Sequence, residues 1–309
     1  MSIFKTIPVH GRGDPLWSPS PPARGRPLPF MSLKHSFIHF LLLCLLLCTL
    51  AACDLLPSTS TTSTPTSTTS TTQTADQGTS QLNTWYGGTP GVEVRYEDWK
   101  SPGNNGDTVT IVRFDLRHIT LSVAYQPTQP LTMNEWMQKE RATAIINGGY
   151  FDSQNIATAL VVSNGRSFGT SYNGFGGMLS VDSQGHTHLR SLRQNPYDPN
   201  NEQLRQATQS SPMLVLNGKA TQFNANAASS RRSVVAIDKQ GRLLFIVSPS
   251  QAFSLGELED LLISSDLSID RALNLDGGAS TSLYVNTKSQ QVAIDSFSNL
   301  PLVVIVKAR

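Results

Sequence analysis

Alternating apolar and polar residues recur from about residue 81 to residue 309, and they predict a strand-rich fold. Residues 108–114 and 119–125 alternate with period two, as half-buried strands do. We expect these two segments to pair as a hairpin across the polar turn at 115–118. Apolar residues just before Asn147 and around Asn274, and the run 302–306, predict buried strands.

Turn residues separate further strands. Asn164-Gly165 and Asn217-Gly218 each lie between apolar runs, and Asn-Gly is the strongest two-residue hairpin signal. Asp-containing segments that end in glycine, 182–185 and 238–241, predict two more turns. The chain is therefore expected to contain several antiparallel hairpins.

Two helices are predicted by capping boxes, one at Thr132–Glu135 and one at Ser254–Glu257. The first helix is expected to end near Arg141, and the second carries leucines at helical spacing. Many strands with few helices predict an α+β fold. We expect a single domain of mixed or antiparallel strands over residues 81–309.

The first 80 residues follow a different pattern. Residues 1–30 show no periodicity and are interpreted as an upstream extension, because Met31 begins a short polar segment and an apolar run, 37–52. That run is shorter than the ~20 residues of a spanning helix, so 31–52 is predicted to be a signal peptide. Its end, Leu50-Ala51-Ala52-Cys53, resembles a bacterial lipobox and predicts lipidation at Cys53. An uncleaved membrane anchor is the alternative.

Residues 53–80 are predicted to be a linker anchored by the lipid at Cys53. Ser and Thr dominate 57–80, which cannot bury enough apolar surface to offset the entropy of ordering. The expected protein is exported and membrane-anchored, with a folded head on a disordered tether.

Cysteine and charge exclude several function classes. All three cysteines, Cys44, Cys48 and Cys53, lie in or at the end of the predicted signal peptide, so the head has no disulfide or thiolate nucleophile. Removing residues 1–52 takes five of the 24 basic and one of the 22 acidic residues, leaving 19 and 21. The head thus shows no electrostatic case for nucleic-acid binding. A Gly-x-Ser-x-Gly elbow, a Walker loop and a Rossmann fingerprint are also missing.

The main candidate site lies in two glycine-containing turns, 147–152 and 274–280. Each follows an apolar run and combines an asparagine, a Gly-Gly pair and an aspartate. Glycine pairs let the backbone approach a ligand closely. Either turn, taken alone, is explained equally well as an ordinary hairpin turn, because Asn, Asp and Gly are common turn residues.

Five polar residues near these turns are candidates for chemistry. Asp276 follows a buried strand, so partial desolvation would adjust its pKa for acid–base work, although it also fits a turn-capping role. Asp152 is a weaker candidate in a turn-forming run. Asn147 and Asn274 could hydrogen-bond either substrate hydroxyls or backbone groups of the turns. Arg232 could bind a phosphate or be an ordinary surface arginine. His186 and His188 share one strand face, but without a carboxylate at a defined spacing they are a weak metal pair.

These segments resemble the phosphodiester glycosidase family over roughly residues 90–309. The resemblance rests on four stretches in the family's order. They are 144–151 with Asn147-Gly148-Gly149, 211–219, 232–241, and 272–280 with Asp276-Gly277-Gly278. Ala236 and Ala279 stand where the family often has glycine, and Tyr150 stands where phenylalanine is usual.

The resemblance implies hydrolysis of a sugar 1-phosphodiester at its glycosidic bond. For a protein with the predicted export signal and anchor, we expect the substrate in cell-envelope or extracellular glycans. The resemblance implies catalytic roles for Asp276, Asn147 and Arg232. It also implies substrate contacts, from Gly148, Gly149, Asn274, Gly277, Gly278, Ser280 and Asp152. Alternatives are a non-catalytic binder of glycans or phosphoglycans and a phosphodiesterase that cleaves the P–O bond. The sequence requires no cofactor, and it leaves open whether a divalent metal is needed.

Overall fold

A computed structural model describes residues 80–223 and 227–309 of the chain. The predicted upstream extension, the signal peptide, Cys53 and the linker up to residue 79 lie outside these residues. In the part that is described, no helix is long and apolar enough to cross a membrane.

Strands make up most of the described fold, as the alternating pattern predicts. In chain order they are β1 (Tyr86–Thr89), β2 (Val92–Lys100), β3 (Gly106–Phe114), β4 (Ile119–Tyr125), β5 (Ala144–Asn147), β6 (Val161–Ser163), β7 (Arg166–Phe168), β8 (Gly177–Asp182), β9 (Thr187–Ser191), β10 (Leu204–Ser210), β11 (Met213–Leu216), β12 (Lys219–Ala220), β13 (Ser230–Asp238), β14 (Leu243–Phe253), β15 (Ile269–Asn274), β16 (Leu283–Asn286), β17 (Gln291–Ile294) and β18 (Leu302–Ala308).

The strands form three sheets. Eight strands follow the order β1-β2-β3-β14-β13-β15-β11-β12, five follow β7-β6-β10-β8-β9, and five follow β17-β16-β5-β18-β4. Every strand pair in the described residues is antiparallel. The strand-rich prediction is confirmed, and the pairing is antiparallel rather than mixed.

The predicted turns close hairpins between neighbouring strands. Asn164-Gly165 joins β6 to β7, and Asn217-Gly218 joins β11 to β12. All four residues take positive φ, as the two central residues of a type I′ turn require. The turns at 182–185 and 238–241 join β8 to β9 and β13 to β14.

The predicted hairpin between residues 108–114 and 119–125 is wrong, although both strands form. β3 pairs with β2 on one edge and β14 on the other, so neither edge is free for β4. β4 pairs instead with β18, in a different sheet. The short polar connection 115–118 allowed a hairpin with β4, but the preceding strand β2 and the distant strand β14 already satisfy the backbone of β3.

Two helices begin at the predicted capping boxes. α1 (Met133–Glu140) starts after Thr132, and α2 (Leu255–Ser264) starts after Ser254. In both, the hydroxyl of the cap accepts from the backbone of the third helical residue, whose carboxylate accepts from the backbone of the cap. A short 3₁₀ turn (Gly278–Ser280) lies in the second glycine turn.

The core lies between the sheets, and its strands alternate their side chains between two apolar layers. On β18, Val304 and Val306 enter a cluster built from residues of all three sheets, while Val303 and Ile305 pack with Trp136 of α1. α2 covers the other face of the eight-stranded sheet through Leu258 and Leu262. Because both faces of these sheets are buried, the ends of β5 and β15 are held in place, and the two glycine turns begin there.

Candidate functional site

The two glycine turns meet in space, although they begin 127 residues apart in the chain. After β15, the Leu275 amide donates to the carbonyl of Ser233 on β13 (2.8 Å), and the Asp276 amide donates to the carbonyl of Gly148 (3.1 Å). The second turn therefore leaves the eight-stranded sheet and pairs with the chain just after β5. The two turns thus lie together, as a shared site requires, and their use as a ligand site stays a prediction.

The Asn147 side chain holds this junction. Its Nδ2 donates to the carbonyl of Asp276 (2.7 Å), and its Oδ1 accepts from the Ser233 hydroxyl (2.7 Å) and the Ser282 amide (3.1 Å). Asn147 is 1% exposed. Both polar atoms of the amide are used inside the protein, so Asn147 positions Asp276 and leaves substrate contacts to other residues.

The Asn274 side chain, at the end of β15, also holds neighbouring chain segments together. Its Nδ2 donates to the carbonyls of Leu275 (2.8 Å) and Ser211 (3.1 Å) and to the Tyr150 hydroxyl (2.9 Å). Its buried Oδ1 has no hydrogen-bond partner among the described residues. Asn274 therefore holds Tyr150 and the chain at Ser211 against the end of β15.

Asp276 is the titratable group of the site. Burial raises the pKa of its carboxyl to about 6, although the Ser280 hydroxyl and the Gly277 amide, which stabilise the carboxylate, oppose that rise. The rise in this pKa does not come from a neighbouring acid. The group therefore changes charge near neutrality and is ionised in most molecules at pH 7.

Tyr150 is a site residue that the sequence reasoning noted only as a departure from the family. Its hydroxyl donates to the carbonyl of Ser211 (2.9 Å) and accepts from Asn274. Burial and the Asp276 charge raise its pKa to about 12, so the phenol stays neutral. No periodicity marks this residue; its place directly after the first Gly-Gly pair is the signal that finds it.

Arg232, the predicted catalytic arginine, and its neighbour Arg231 have different environments. Arg231 is 5% exposed and donates to the carbonyls of Pro249 (2.8 Å), Gly278 (3.4 Å) and Asp295 (2.8 Å). It stabilises the backbone around the second turn. The register of β13 against β14 shifts between Ser230 and Arg232, an irregularity that changes where neighbouring side chains point.

Arg232 lies beside the site and keeps donors free. Its Nε donates to the carbonyl of Phe253 (3.1 Å), and one terminal nitrogen donates to the carbonyl of Ala228 (3.1 Å). The other terminal nitrogen, Nη1, has no partner among the described residues and lies about 4.0 Å from where a Cβ on Gly277 would be. Burial lowers the pKa of this guanidinium, and the neighbouring Tyr150 opposes that shift. A half-buried cation with an open N–H pair suits an anionic ligand.

The two Gly-Gly pairs are required for different reasons. A Cβ on Gly148 would lie 2.5 Å from the Leu302 side chain, and one on Gly149 would collide with the Gln209 carbonyl. Gly278 instead takes a φ of +59°, which L-residues adopt at a cost, and a Cβ on Gly277 would lie 2.9 Å from the Arg231 carbonyl. The first pair permits close packing, and the second pair permits the bend that presents Asp276.

The remaining predicted site residues separate into two groups. Ser280 is buried, and its hydroxyl acts on the Asp276 carboxyl in the direction that lowers its pKa. Asp152 is exposed, and its carboxylate accepts from the amides of Gln154 and Ile156 (both 2.9 Å) in its own turn. The structure thus joins Ser280 to Asp276 and gives Asp152 no contact with either.

The weak metal pair lies outside the two glycine turns, at β9. His186 and His188 both contact Oδ2 of Asp182, at 3.3 and 3.0 Å, so one carboxylate oxygen lies between the rings. Across residues 80–223 and 227–309, no group of three or more His, Cys, Asp or Glu side chains is arranged to hold a metal ion.

Two cavities lie elsewhere on the molecule. One, of about 620 Å³, lies along β4 and includes Arg205, Lys307 and Glu140 in its lining. The other, of about 770 Å³, lies beside α1 and β16. Asp276, Arg232 and Tyr150 line neither cavity, so charge and hydrogen bonding rather than cavity volume distinguish the candidate site.

Solved structures share this fold. The catalytic domain of zebrafish N-acetylglucosamine-1-phosphodiester alpha-N-acetylglucosaminidase, auto-inhibited by its pro-peptide, aligns with a TM-score of 0.58 at 17% identity. The alignment covers 74% of this chain and 87% of that one. A hypothetical protein from Synechocystis aligns with a TM-score of 0.52 at 16% identity, covering 71% of this chain and 62% of that one. No match was found among curated protein sequences.

A family model adds direct sequence evidence. The model described as phosphodiester glycosidase matches residues 140–306, which include both glycine turns and β13. This match spans more than half of the chain and confirms the resemblance that the four sequence stretches indicate. The chain belongs to the phosphodiester glycosidase family, a family of hydrolases with carbohydrate-type substrates.

Proposed function

We propose that this protein hydrolyses the glycosidic bond of a sugar 1-phosphodiester, releasing a free sugar and a phosphomonoester. The observation that carries the proposal is that Asp276, a half-buried carboxylate with a pKa of about 6, and Arg232, a half-buried cation beside the second turn, both act electrostatically on Tyr150. Family membership supports the substrate class, and the likeness to the zebrafish catalytic domain supports the fold that presents these groups.

The charges suit an oxocarbenium-like transition state. As the bond between C1 and the phosphate oxygen breaks, positive charge develops on the sugar ring and negative charge on the leaving phosphate. Asp276 supplies negative charge to the ring, as nucleophile, base or electrostatic stabiliser. Arg232 offers the Nη1 donors to the phosphate.

The use of one carboxylate is consistent with this leaving group. Most glycosidases use two carboxylates, one of which protonates the leaving oxygen. A phosphomonoester leaves without strong acid help, since its oxygen is already weakly basic. Water supplies the oxygen that ends on C1 and, overall, the proton that the phosphate group takes up.

Asn274 and Ser280 support the site from inside the protein. Asn274 lies at the end of β15, two residues before Asp276, is 1% exposed, and holds the Tyr150 hydroxyl through its Nδ2. The Ser280 hydroxyl stabilises the Asp276 carboxylate. In this scheme Asn147 acts indirectly, by fixing the Asp276 backbone.

Hydrolysis in ¹⁸O-water tests the position of bond cleavage. Purified residues 81–309 are incubated with a panel of sugar 1-phosphodiesters, with and without chelator, and the products are analysed by mass spectrometry. Glycosidic cleavage places ¹⁸O in the released sugar and none in the phosphomonoester. Label in the phosphate would indicate P–O cleavage and a phosphodiesterase. Binding without turnover, unchanged in Asp276→Asn, would indicate a non-catalytic glycan-binding protein.

We further propose that the protein is exported and anchored by a lipid on Cys53, where it acts on cell-envelope or extracellular glycans. The support is the apolar run 37–52 that ends in Leu50-Ala51-Ala52-Cys53, followed by the Ser/Thr-rich segment. Mass spectrometry of the mature protein should find acylated Cys53 as its first residue. A free amino terminus at another position would contradict the anchor.

A further inference from the structure

An exposed aromatic stack lies in the loop between β7 and β8. Phe175 is 51% exposed, and its ring stacks on Tyr172 with centroids 4.5 Å apart and planes 28° from parallel. Gly174 and Gly176 flank Phe175 at φ of +75° and +73°, so a tight turn presents this ring to solvent. A single exposed apolar residue is common on proteins, so the meaning of this one depends on its surroundings.

A buried amide holds the loop in place. Gln209, which is 1% exposed, accepts from the Tyr172 amide through Oε1 (2.8 Å) and donates through Nε2 to the Ser171 hydroxyl (2.7 Å). The backbone carbonyl of Gln209 is also the atom that excludes a side chain at Gly149. One buried residue therefore connects the aromatic loop with the first glycine turn.

The stack is also linked to the site through Tyr172. Its hydroxyl lies 3.2 Å from the Thr158 hydroxyl, and Thr158 donates through its amide to the Tyr150 carbonyl (3.0 Å). The Tyr150 side chain in turn bonds Asn274. Tyr172 acts electrostatically on Tyr150, as does Asp276, so all three side chains belong to one neighbourhood.

We propose that the Tyr172–Phe175 stack is the platform on which the sugar of the substrate rests, with the exposed Phe175 ring against the apolar C–H face of the pyranose. This inference rests on the proposed function. Sugar rings offer such a face beside their hydroxyls, and aromatic side chains give large, rigid contact area at low entropic cost. The sugar would then rest on Phe175 in the neighbourhood of Tyr150, on which Arg232 and Asp276 both act.

Kinetics on a diester that the wild-type protein cleaves provide the first test. We expect Phe175→Ala to raise KM about tenfold, the equivalent of about 1.4 kcal/mol of binding, while kcat changes little. Phe175→Tyr, which keeps the ring, should restore KM to near the wild-type value. Leu82→Ala is the control for loss of exposed apolar surface, because Leu82 is 43% exposed and has no described contact with the site. A KM for Phe175→Ala within twofold of the wild-type value overturns the proposal.

A binding measurement separates this inference from the proposed reaction. Saturation-transfer NMR is recorded with methyl pyranosides of glucose, N-acetylglucosamine and mannose, which need no turnover. We expect transfer to the ring C–H protons of at least one sugar in the wild type and its loss in Phe175→Ala. If no diester is cleaved but this pattern appears, the reaction fails and the platform stands. Equal transfer in both proteins, or none in either, overturns the platform.

Discussion

The two glycine turns resemble each other in sequence but have different roles in the structure. In the first, Asn147 uses both amide atoms inside the protein, and Gly148 and Gly149 permit close packing. In the second, Gly278 bends the backbone, and Asp276 keeps a half-buried carboxyl with a raised pKa. Similar motifs can thus provide support in one place and reactive charge in another, and hydrogen-bond satisfaction tells them apart.

The same contrast separates Arg231 from Arg232. Arg231 donates to three carbonyls around the second turn, whereas Arg232 keeps Nη1 free beside it. We predict that Arg232→Ala lowers kcat/KM by roughly 10²–10³ while the protein stays folded, because donors to a developing phosphate charge are worth about that much. Steady-state kinetics and thermal unfolding measure the two quantities.

Arg231→Ala is the matched comparison for Arg232→Ala. It should lower the melting temperature, because three backbone carbonyls lose their buried donor. If Arg231→Ala impaired catalysis as strongly as Arg232→Ala at full stability, the distinction between the two arginines would be wrong.

Removing the support in the first turn should destabilise the fold. Asn147→Ala leaves the Asp276 carbonyl and the Ser282 amide without partners, and we expect a loss of about 2–4 kcal/mol in the free energy of unfolding. Urea denaturation measures it. A loss below ~0.5 kcal/mol would show that the junction does not depend on this side chain.

Local features of the fold could be predicted from the sequence, because capping boxes and Asn-Gly turns follow from local residue chemistry. The likeness of the two glycine turns only suggested that they share a site. The partner of β3 could not be predicted, because the choice between β4 and β14 depends on which long-range pairing satisfies both edges. The family resemblance pointed to Arg232, but the environment of Arg231 could not be predicted, since the register of β13 shifts at this point. Tyr172 and Phe175 carry no periodic signal at all.

Stability should depend on pH through Asp276. Because the pKa of this carboxyl is raised from about 3.8 to about 6 on folding, the neutral form favours the fold. That contribution is complete below pH ~4 and is lost as the pH rises through 6. We expect Asp276→Asn, which is neutral at every pH, to be more stable than the wild type by on the order of 2–3 kcal/mol at pH 7.

Denaturation of both proteins at pH 4 and pH 7 measures this difference. It should nearly vanish at pH 4, where the wild-type carboxyl is also neutral. A stability difference that is independent of pH would contradict the raised pKa.

The smallest effect is expected at Tyr150. Tyr150→Phe removes one of three acceptors of Asn274 Nδ2, so we predict a loss of about 0.5–1.5 kcal/mol in stability and a rate within about tenfold of the wild type. Tyr284→Phe, whose hydroxyl bonds Asp295 near the surface, is the control. A hundredfold loss of rate in Tyr150→Phe would place the phenol among the reacting groups.

The most direct test of the contrast between the turns is the single-turnover rate of Asp276→Asn on a cleavable sugar 1-phosphodiester, measured on protein shown to be folded by thermal denaturation. We predict a rate at least ~10³-fold below that of the wild type, with stability at pH 7 retained or increased. A folded Asp276→Asn protein that cleaves the diester within tenfold of the wild-type rate would contradict the assignment of the chemistry to the second turn.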